Sequence, residues 1–570
     1  NWGGEDIFGD GAWSESDIYR SMIGAEINHM LSENTFYEAY LTWRKTAYRT
    51  GPPRERDTTP IKTIGGVEVD EAPLGFSFTP HESITGLRMG AHHSEFRDTS
   101  DVSEWSVRFG LTSQLGQYNT AKVGFEFKTE NHDINYEWDD FLLNPGDDYV
   151  SYTGNPIYGA AYVQDKLEYL GMIANVGLRL DYFDANTERY VFEDYTENFL
   201  GRNEPQFDEI METEEAEPQV SLSPRLGVSF PISERSKLYF NYGHFYQQVV
   251  PEMLYMVRRS NITREVVQIS NPEMPRPRTI AYEVGFEQSL FDQYLLRVAG
   301  YYRDTQNQPR WVTYHSRDGL INYSVNRAEN YKDTRGVEVS LMKNVGDWFR
   351  GFVNYTYQVE STGDFGFSNY YESRVEQRNY ERTTNDYYQS KPVPQPYARA
   401  SLTFLTPADY GPEVAGHKVL GDWRLNLLGT WKAGEYFTYT GESTAPEVEN
   451  NVQWRDYRMI DLRISKNLGL EGVNALVYVD VENVFNLKNF NRNSFFGPRD
   501  YENYMNSLHL PEEAVEGWED TYQPADGNGN PIYGNDRPGD IDKDHINPPN
   551  GTSFHYLFPR NVMFGMRLSF

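Results

Sequence analysis

The chain has 570 residues, a formal net charge of −32 and no cysteine. Aromatic residues reach 15%, with 43 tyrosines, which is far too many for an intrinsically disordered chain. The acidic balance argues against nucleic-acid binding, which needs a basic face, and the missing cysteines exclude disulfide and thiol chemistry. No apolar run approaches the ~18 residues of a membrane helix, whereas a barrel strand crosses a bilayer with about 9–11 residues, half of them apolar.

Apolar and polar residues alternate in many segments from about residue 16 to the end of the chain, and a period of two predicts strands with one apolar and one polar face. The clearest segments are, in chain order, IYRSMIGAEINHM (18–30), TFYEAYLTWRK (35–45), EWSVRFGL (104–111), TAKVGFEFK (120–128), SKLYFNYGHF (236–245), TIAYEVGFEQ (279–288) and NVMFGMRLSF (561–570). Counting back from the last segment gives roughly 17 strands. Segment 82–97 also alternates, but we place it in a loop, because a strand there would break the rhythm of the connections.

The connections between these strands are alternately short and long. We expect long loops at about 48–101, 129–156, 184–218, 246–277, 303–331, 358–394, 434–456 and 486–560. This rhythm is typical of outer-membrane barrels, which have short periplasmic turns and long extracellular loops, and a Greek-key sandwich has no reason to keep it. We therefore predict an all-β fold in which residues 16–570 form a transmembrane antiparallel up-and-down β-barrel. Residues 1–15 are then an extracellular loop or the start of a fragment.

Eight segments, in this order, resemble the barrel of TonB-dependent outer-membrane receptors. They are YVQDKLEY (162–169), PRLGVSFPISERSKLYFNYGHFYQ (224–247), RTIAYEVGFEQ (278–288), YLLRVAGYYRDTQNQ (294–308), TRGVEVSL (334–341), DLRISKNLG (461–469), VYVDVENVFNLKNF (477–490) and PRNVMFGMRLSF (559–570). The resemblance implies a 22-stranded barrel with a plugged lumen in the outer membrane of a Gram-negative, diderm bacterium. It also implies an N-terminal plug, and nothing before residue 16 resembles one. We therefore expect this chain to supply roughly the last 17 strands of a longer receptor.

The resemblance also implies a function and a set of partners. Such a receptor binds an extracellular nutrient and imports it with energy from TonB–ExbB–ExbD, through the N-terminal region that is missing here. The substrate stays open among an iron chelate, cobalamin, a glycan and a peptide. The alternative is a receptor-like barrel that anchors a surface lipoprotein or a larger outer-membrane complex. Outer-membrane lipid, lipopolysaccharide and the barrel assembly machinery are further implied partners, and the closing aromatic Phe570 is similar to the signal which that machinery reads.

We find no motif for catalysis and expect no enzyme: HExxH, the GxSxG elbow, a phosphate-binding glycine loop and CxxC are all missing from the sequence. Aromatic side chains in the long loops could stack on a sugar, a siderophore or a peptide. Packing of the long loops against one another is the simpler explanation for any one of them. The candidates for ligand binding are Trp311, Tyr314, Tyr370, Tyr371, Tyr387 and Tyr388.

The last long loop contains a candidate metal site, although no cofactor is required by the resemblance. Asp540, Asp542 and Asp544 follow the i, i+2, i+4 spacing of the first ligands in a calcium loop. An EF-hand is excluded, because His545 stands where that motif needs glycine and Gly551 stands where it needs glutamate. A Ca²⁺-bound surface loop and a plain acidic loop both remain open.

Overall fold

The computed structural model describes residues 15–51, 62–64, 67–69, 81–82, 88–89, 96–138, 148–200, 207–260, 265–384, 390–414, 417–441, 445, 448–470, 473–492, 495, 498–540 and 556–569. Within these ranges, no helix has both the length and the apolar character needed to cross a membrane. Strands dominate, and the long ones form one continuous sheet.

The long strands pair antiparallel with their neighbours in chain order. They are β1 (Glu15–Ser32), β2 (Thr35–Gly51), β3 (Asp101–Leu115), β4 (Asn119–Trp138), β5 (Ile157–Tyr169), β6 (Met172–Asp184), β7 (Gln219–Ser233), β8 (Ser236–Tyr246), β9 (Arg278–Leu290), β10 (Tyr294–His315), β11 (Asn322–Lys343), β12 (Phe349–Asp364), β13 (Tyr397–Leu405), β14 (Trp423–Lys432), β15 (Tyr457–Leu470), β16 (Val473–Glu482) and β17 (Asn561–Ser569). The strands therefore form an up-and-down meander, with the long connections at one end.

The two faces of the sheet follow from the alternation within each strand. In β9, Tyr282 and Val284 expose apolar surface on one face of the sheet. Glu283 lies between them on the other face, where it accepts a hydrogen bond from the Tyr239 hydroxyl (3.0 Å). That second face borders a cavity of about 960 Å³, whose lining includes Gln164 and Asn241. The sheet therefore has an apolar outer surface and a polar lumen, as a barrel in lipid requires.

Tyrosine rings lie across glycines of the neighbouring strand at several points of the lumenal face. In each case the tyrosine and the glycine are paired in register, and a Cβ atom on the glycine would collide with the ring. The pairs are Tyr162 with Gly124, Tyr239 with Gly285, Tyr301 with Gly336 and Tyr478 with Gly565. The glycines thus make room for large polar-tipped side chains on a crowded inner wall.

The long connections contain short helices and strands of their own. The helices are α1 (Phe207–Ile210), α2 (Pro251–Tyr255), α3 (Arg374–Thr383), α4 (Pro498–Asn506) and α5 (Glu512–Val515), with 3-10 turns at Glu197–Phe199 and Glu519–Thr521. The short strands are Lys62–Ile64, Val67–Val69, His81–Glu82, Arg88–Met89, Phe96–Asp98, Asp148–Gly154, Glu188–Val191, Glu212–Glu215, Val257–Arg259, Val266–Ile269, Asn369–Tyr371, Val393–Pro394, Glu413–Val414, His417–Lys418, Tyr436–Phe437, Val452–Gln453, Asn489–Phe490 and Tyr556–Leu557.

The prediction of a loop over 303–331 is wrong. Strand β10 continues to His315 and β11 begins at Asn322, so a turn of six residues, 316–321, joins them. Aromatic and β-branched residues, which favour strands, continue through Trp311–Tyr314. The alternation is interrupted near Gln308, where the register of β10 and β11 shifts, and the two strands pair again beyond it. Strands also enter three other predicted loops: β2 reaches Gly51 within 48–101, β4 reaches Trp138 within 129–156, and β12 reaches Asp364 within 358–394.

The projecting ends of β10 and β11 form the centre of a small sheet, here called the outer sheet. Strand Val266–Ile269, which precedes β9, pairs parallel with β11 at Ser324 and Val325. Strand Asn369–Tyr371, which follows β12, pairs parallel with β10 from Thr313 to His315. Segments from both sides of the hairpin therefore add to it above the barrel wall, and the loops are ordered by backbone hydrogen bonds as well as by side chains.

Candidate binding site

The outer sheet carries a hydrophobic core that contains two of the predicted ligand-binding aromatics. Tyr314 is 5% exposed and stacks between Tyr323 (5.3 Å between ring centroids) and Tyr370 (5.5 Å). Phe199 packs on Tyr323 at 4.2 Å. The structure thus brings Tyr314 and Tyr370 together, within a packed core.

The remaining predicted aromatics are placed differently. Trp311 lies one residue before the buried Val312 and is half-buried on the opposite face of β10. Tyr371 stacks on His315, with ring centroids 4.6 Å apart. Tyr387 and Tyr388 lie outside the described residues, as does Phe570. Ligand binding by these residues stays a prediction.

The predicted calcium site is described only at its first residue. The carboxylate of Asp540 forms an ion pair with Arg455 (2.9 Å) and accepts a hydrogen bond from the backbone N–H of Arg537 (3.0 Å). Asp542 and Asp544 fall outside the described residues. In the part of the chain that the structure describes, no group of three or more His, Cys, Asp or Glu side chains is arranged to hold a metal ion.

The last long connection folds around a second core, which includes Trp454, Leu508 and Trp518. A buried tyrosine and an asparagine fix its backbone. The Tyr504 hydroxyl accepts a hydrogen bond from Gly539 N–H (2.8 Å) and donates one to the Asp540 carbonyl (2.7 Å). The Asn451 amide donates to the carbonyls of Tyr439 and Ala514, both at 2.7 Å, and so ties two connections into one unit. The long connections at this end of the barrel therefore have hydrophobic cores of their own.

Beneath these loops, the inner wall of β2–β8 borders a cavity of about 410 Å³, here called the upper pocket. Its inward-facing polar and aromatic lining includes Tyr40, Thr42, Ser106, Arg108, Glu126, Lys128, Tyr158, Arg179, Asp181, Tyr246, Gln248 and Arg276. None of these residues was singled out from the sequence. A pocket with aromatic walls and a few convergent charges is the usual form of a small-molecule site.

Two of the cations in the upper pocket are neutralised by carboxylates. The Arg179 guanidinium bridges Glu126 (2.9 Å) and Asp181 (2.8 Å). The Lys128 ammonium contacts Glu130 (2.7 Å) and lies 4.1 Å from the centroid of the Tyr158 ring. These groups shape the pocket, but their charge is already balanced.

Arg276 differs from them, because it is 7% exposed and forms no direct ion pair among the described residues. The Asp181 carboxylate, which is already paired with Arg179, acts on it only at longer range. One Nη atom donates to the Ser221 hydroxyl (2.8 Å), and the guanidinium lies 5.2 Å from the Tyr246 ring and 5.8 Å from the Phe183 ring. Its Nε has no hydrogen-bond partner within the described structure. Burial lowers the pKa of Arg276 from its usual value, yet a guanidinium stays protonated in proteins.

A second arginine of the upper pocket is similarly unneutralised. The guanidinium of Arg108 lies 4.8 Å from the centroid of the Tyr40 ring. Arg108 stands opposite Glu126 in the register of β3 and β4, but the Glu126 carboxylate pairs with Arg179, and no ion pair within 4 Å joins Arg108 to a carboxylate in the described parts of the chain. Arg108 and Arg276 therefore supply positive charge that a bound anion can balance. The sequence held one signal for Arg276, since it stands between Pro275 and Pro277 in a segment with little conformational freedom.

Comparisons with known proteins agree with this architecture. The model of a family described as TonB dependent receptor-like, beta-barrel, matches residues 1–487. A search of curated proteins finds no match to the sequence. The chain is similar in structure to the hemophore receptor HasR of Serratia marcescens in complex with its hemophore HasA and heme (TM-score 0.52, 13% identity, 83% of this chain and 63% of that one).

Two further solved structures show the same likeness. The outer membrane transporter YddB from Escherichia coli has a TM-score of 0.53 and 11% identity, over 83% of this chain and 60% of that one. The siderophore receptor PiuA from Acinetobacter baumannii has a TM-score of 0.50 and 14% identity, over 84% of this chain and 61% of that one. The chain thus spans less than two thirds of the length of these structures, and at such identities the likeness concerns the fold.

Proposed function

The chain belongs to the TonB-dependent receptor family, whose barrel model matches most of its length, and we propose that it binds an extracellular nutrient and imports it across the outer membrane with TonB-coupled energy. The apolar outer surface, the polar lumen and the cored loops at one end support this proposal. The short turns then face the periplasm and the long connections face the cell exterior. Membership of a transporter family does not favour the alternative of an anchor for a surface lipoprotein.

We further propose that the nutrient is anionic, and Arg276 is the observation that carries this step. A buried guanidinium without a carboxylate partner is costly unless something balances its charge. Arginine also presents donors in a planar fork that suits carboxylates and phosphates. Arg276 and Arg108 both line the upper pocket, and each guanidinium lies beside an aromatic ring, that of Tyr246 or Tyr40.

Among the four substrate classes left open by the sequence, an anionic iron chelate fits the upper pocket best. Neutral glycans leave the charge of Arg276 unbalanced, and cobalamin is far larger than a cavity of about 410 Å³. We also propose that the receptor couples to TonB–ExbB–ExbD and that further strands complete a 22-stranded barrel. Here the supporting observation is that the first described strand, β1, pairs on one edge, with β2.

A binding panel on the purified full-length receptor tests the substrate class. The probes are ferric citrate, cyanocobalamin, maltoheptaose and trialanine, each titrated by calorimetry at low and at high salt. We expect ferric citrate to bind most tightly and to lose affinity at high salt, because the contact with Arg276 is electrostatic. Tightest binding of uncharged maltoheptaose, with no dependence on salt, would contradict an anionic substrate.

A further inference from the structure

Two of the short turns end in a fully projecting apolar side chain, and we infer that these side chains anchor the barrel in the phospholipid headgroups of the inner leaflet. Leu170, in the turn between β5 and β6, is 84% exposed. Phe291, in the turn between β9 and β10, is 83% exposed. The inference rests on the proposal that the chain spans the outer membrane with its short turns toward the periplasm.

The backbone of both turns is unsuited to these residues. Leu170 has φ = 49° and Phe291 has φ = 54°, which lie in the left-handed region. That region costs a residue with a Cβ atom roughly 1–2 kcal/mol, and tight turns normally place Gly, Asn or Asp there. The adjoining positions follow that rule, with Gly171 and Asp292 also at positive φ. Local backbone preference therefore does not explain a leucine and a phenylalanine at these tips.

Packing inside the protein does not explain them either, because most of each side chain touches no other residue. The position of the two side chains along the barrel axis does explain their exposure. On β9 the outward-facing row runs from Tyr282 to Leu290, and on β6 it runs from Tyr182 to Met172. Eight to ten residues at ~3.3 Å per residue, tilted by ~40°, span about 20–25 Å, which is close to the height of the apolar band of an outer-membrane barrel.

Tyr282 and Tyr182, at the upper ends of these rows, mark one boundary of the apolar band. The opposite boundary then falls at the short turns. Leu170 and Phe291 thus continue the lipid-facing surface into the interface. Cations lie at the same level: Arg235 forms an exposed ion pair with Asp292 (3.0 Å), and the Lys343 ammonium lies 4.9 Å from the centroid of the Tyr294 ring. Apolar tips flanked by cations and tyrosines fit a layer of phospholipid headgroups.

Because the chain has no cysteine, single-cysteine variants give a unique position for an environment-sensitive label. We would attach the fluorophore NBD to Leu170→Cys and Phe291→Cys in the full-length receptor, in vesicles of phosphatidylethanolamine and phosphatidylglycerol. Val284→Cys, in the apolar band, and Asp318→Cys, in the turn between β10 and β11, are the matched lipid and water references. Quenching by a doxyl-labelled phospholipid is compared with quenching by aqueous iodide.

We expect both tip labels to emit at shorter wavelength than the Asp318 label and to be quenched by the doxyl lipid, as at Val284. If the tips behave like Asp318 while Val284 remains in lipid, the inference fails and the proposed function stands. If the Val284 label is also in water, the membrane-spanning placement fails, and the inference fails with it.

A second pair of variants separates the contribution of the side chain to stability from that of the turn backbone. Asparagine suits the left-handed conformation, so Leu170→Asn and Phe291→Asn relieve the backbone. We expect both variants nevertheless to lower Tm in vesicles relative to the wild-type chain and to a variant with Asp422→Asn, another positive-φ position, in the connection between β13 and β14. An unchanged or raised Tm for both tip variants would overturn the inference.

Discussion

The ring of Tyr301 lies across Gly336, its partner in register on the next strand. A Cβ atom on Gly336 would stand 2.6 Å from the Tyr301 hydroxyl and 2.7 Å from the carbonyl oxygen of Tyr357. The hydroxyl donates to the Gln358 amide oxygen at 3.2 Å. Glycine here is a steric requirement of the inner wall, because the ring and the backbone on either side leave no room for a methyl group.

Gly336→Ala is therefore expected to destabilise the barrel. Overpacking of this kind typically costs about 1–3 kcal/mol, so Tm in detergent should fall measurably. Gly300→Ala is the matched control, since the atom closest to a Cβ there is the Gly336 carbonyl oxygen at 4.0 Å. Equal Tm values for the two variants would show that the Tyr301 ring moves aside without cost.

The alternation of the sequence predicted strands such as β9, and with them which side chains face outward, because one buried and one wet face impose a period of two. It did not predict the pairing of Tyr301 with Gly336, since register depends on contacts between strands. Nor did it predict that β10 and β11 project beyond the barrel through Trp311 and Tyr323. Loops and extended hairpins in water share the same polar and aromatic residues.

Tyr323 tests whether the outer sheet is held by its core. The side chain is 1% exposed, and its hydroxyl has no partner within the described structure. Tyr323→Ala should cost about 3–5 kcal/mol through the cavity it leaves, and limited trypsin digestion should then cut the long loops faster. Tyr323→Phe should leave digestion unchanged or slower, because it removes an unpaired buried hydroxyl. Leu320→Ala, at an exposed position of the same hairpin, is the control. Slower digestion of Tyr323→Ala than of this control would contradict the account.

Asp456 makes stability depend on pH at the base of the last long connections. Partial burial alone would raise its pKa, but hydrogen bonds from Gly434 N–H (3.2 Å) and the Trp431 indole (3.1 Å), together with Arg537 (3.4 Å), hold the pKa below its usual value. A lowered folded-state pKa stabilises the fold above the unfolded value, about 3.9, and this stabilisation is lost as the pH falls through the folded value.

Asp456→Asn is accordingly expected to lower stability at pH 7 by about 1–2 kcal/mol. The difference from the wild-type chain should stay constant down to about pH 5 and shrink below about pH 4. Thermal unfolding followed by near-ultraviolet circular dichroism across this range measures it. A difference that is the same at pH 7 and pH 3 would show that the charge of Asp456 does not contribute.

Arg276→Gln should weaken binding of ferric citrate by about tenfold or more, since a hydrogen bond to a charged group contributes about 1.5–3 kcal/mol. Arg235→Gln, on a short turn at the far end of the barrel, should leave Kd unchanged. Calorimetry at low salt gives both values. Arg276→Lys should restore affinity only in part, because an ammonium cannot donate bidentately. Equal Kd values for wild type and Arg276→Gln would remove Arg276 from the site.

The binding site could hardly be predicted from the sequence, for a physical reason. Rim aromatics such as Tyr314 and Tyr370 both bind ligands and fill loop cores in proteins, and here these two lie in a core. Arg276 and Arg108 become notable only in the folded chain, where Arg276 is buried and neither guanidinium forms a direct ion pair among the described residues. Such a property depends on neighbours from distant strands, which a linear pattern does not contain.

TonB-coupled import is measured in cells by the accumulation of ⁵⁵Fe from labelled ferric citrate. Cells that express the full-length receptor are compared with cells that carry Arg276→Gln and with cells that lack TonB. We expect the wild-type receptor to accumulate ⁵⁵Fe, the Arg276→Gln variant to accumulate less, and cells without TonB to accumulate none. Accumulation that persists at the same rate without TonB would contradict TonB-coupled import, and would identify the barrel as a passive pore.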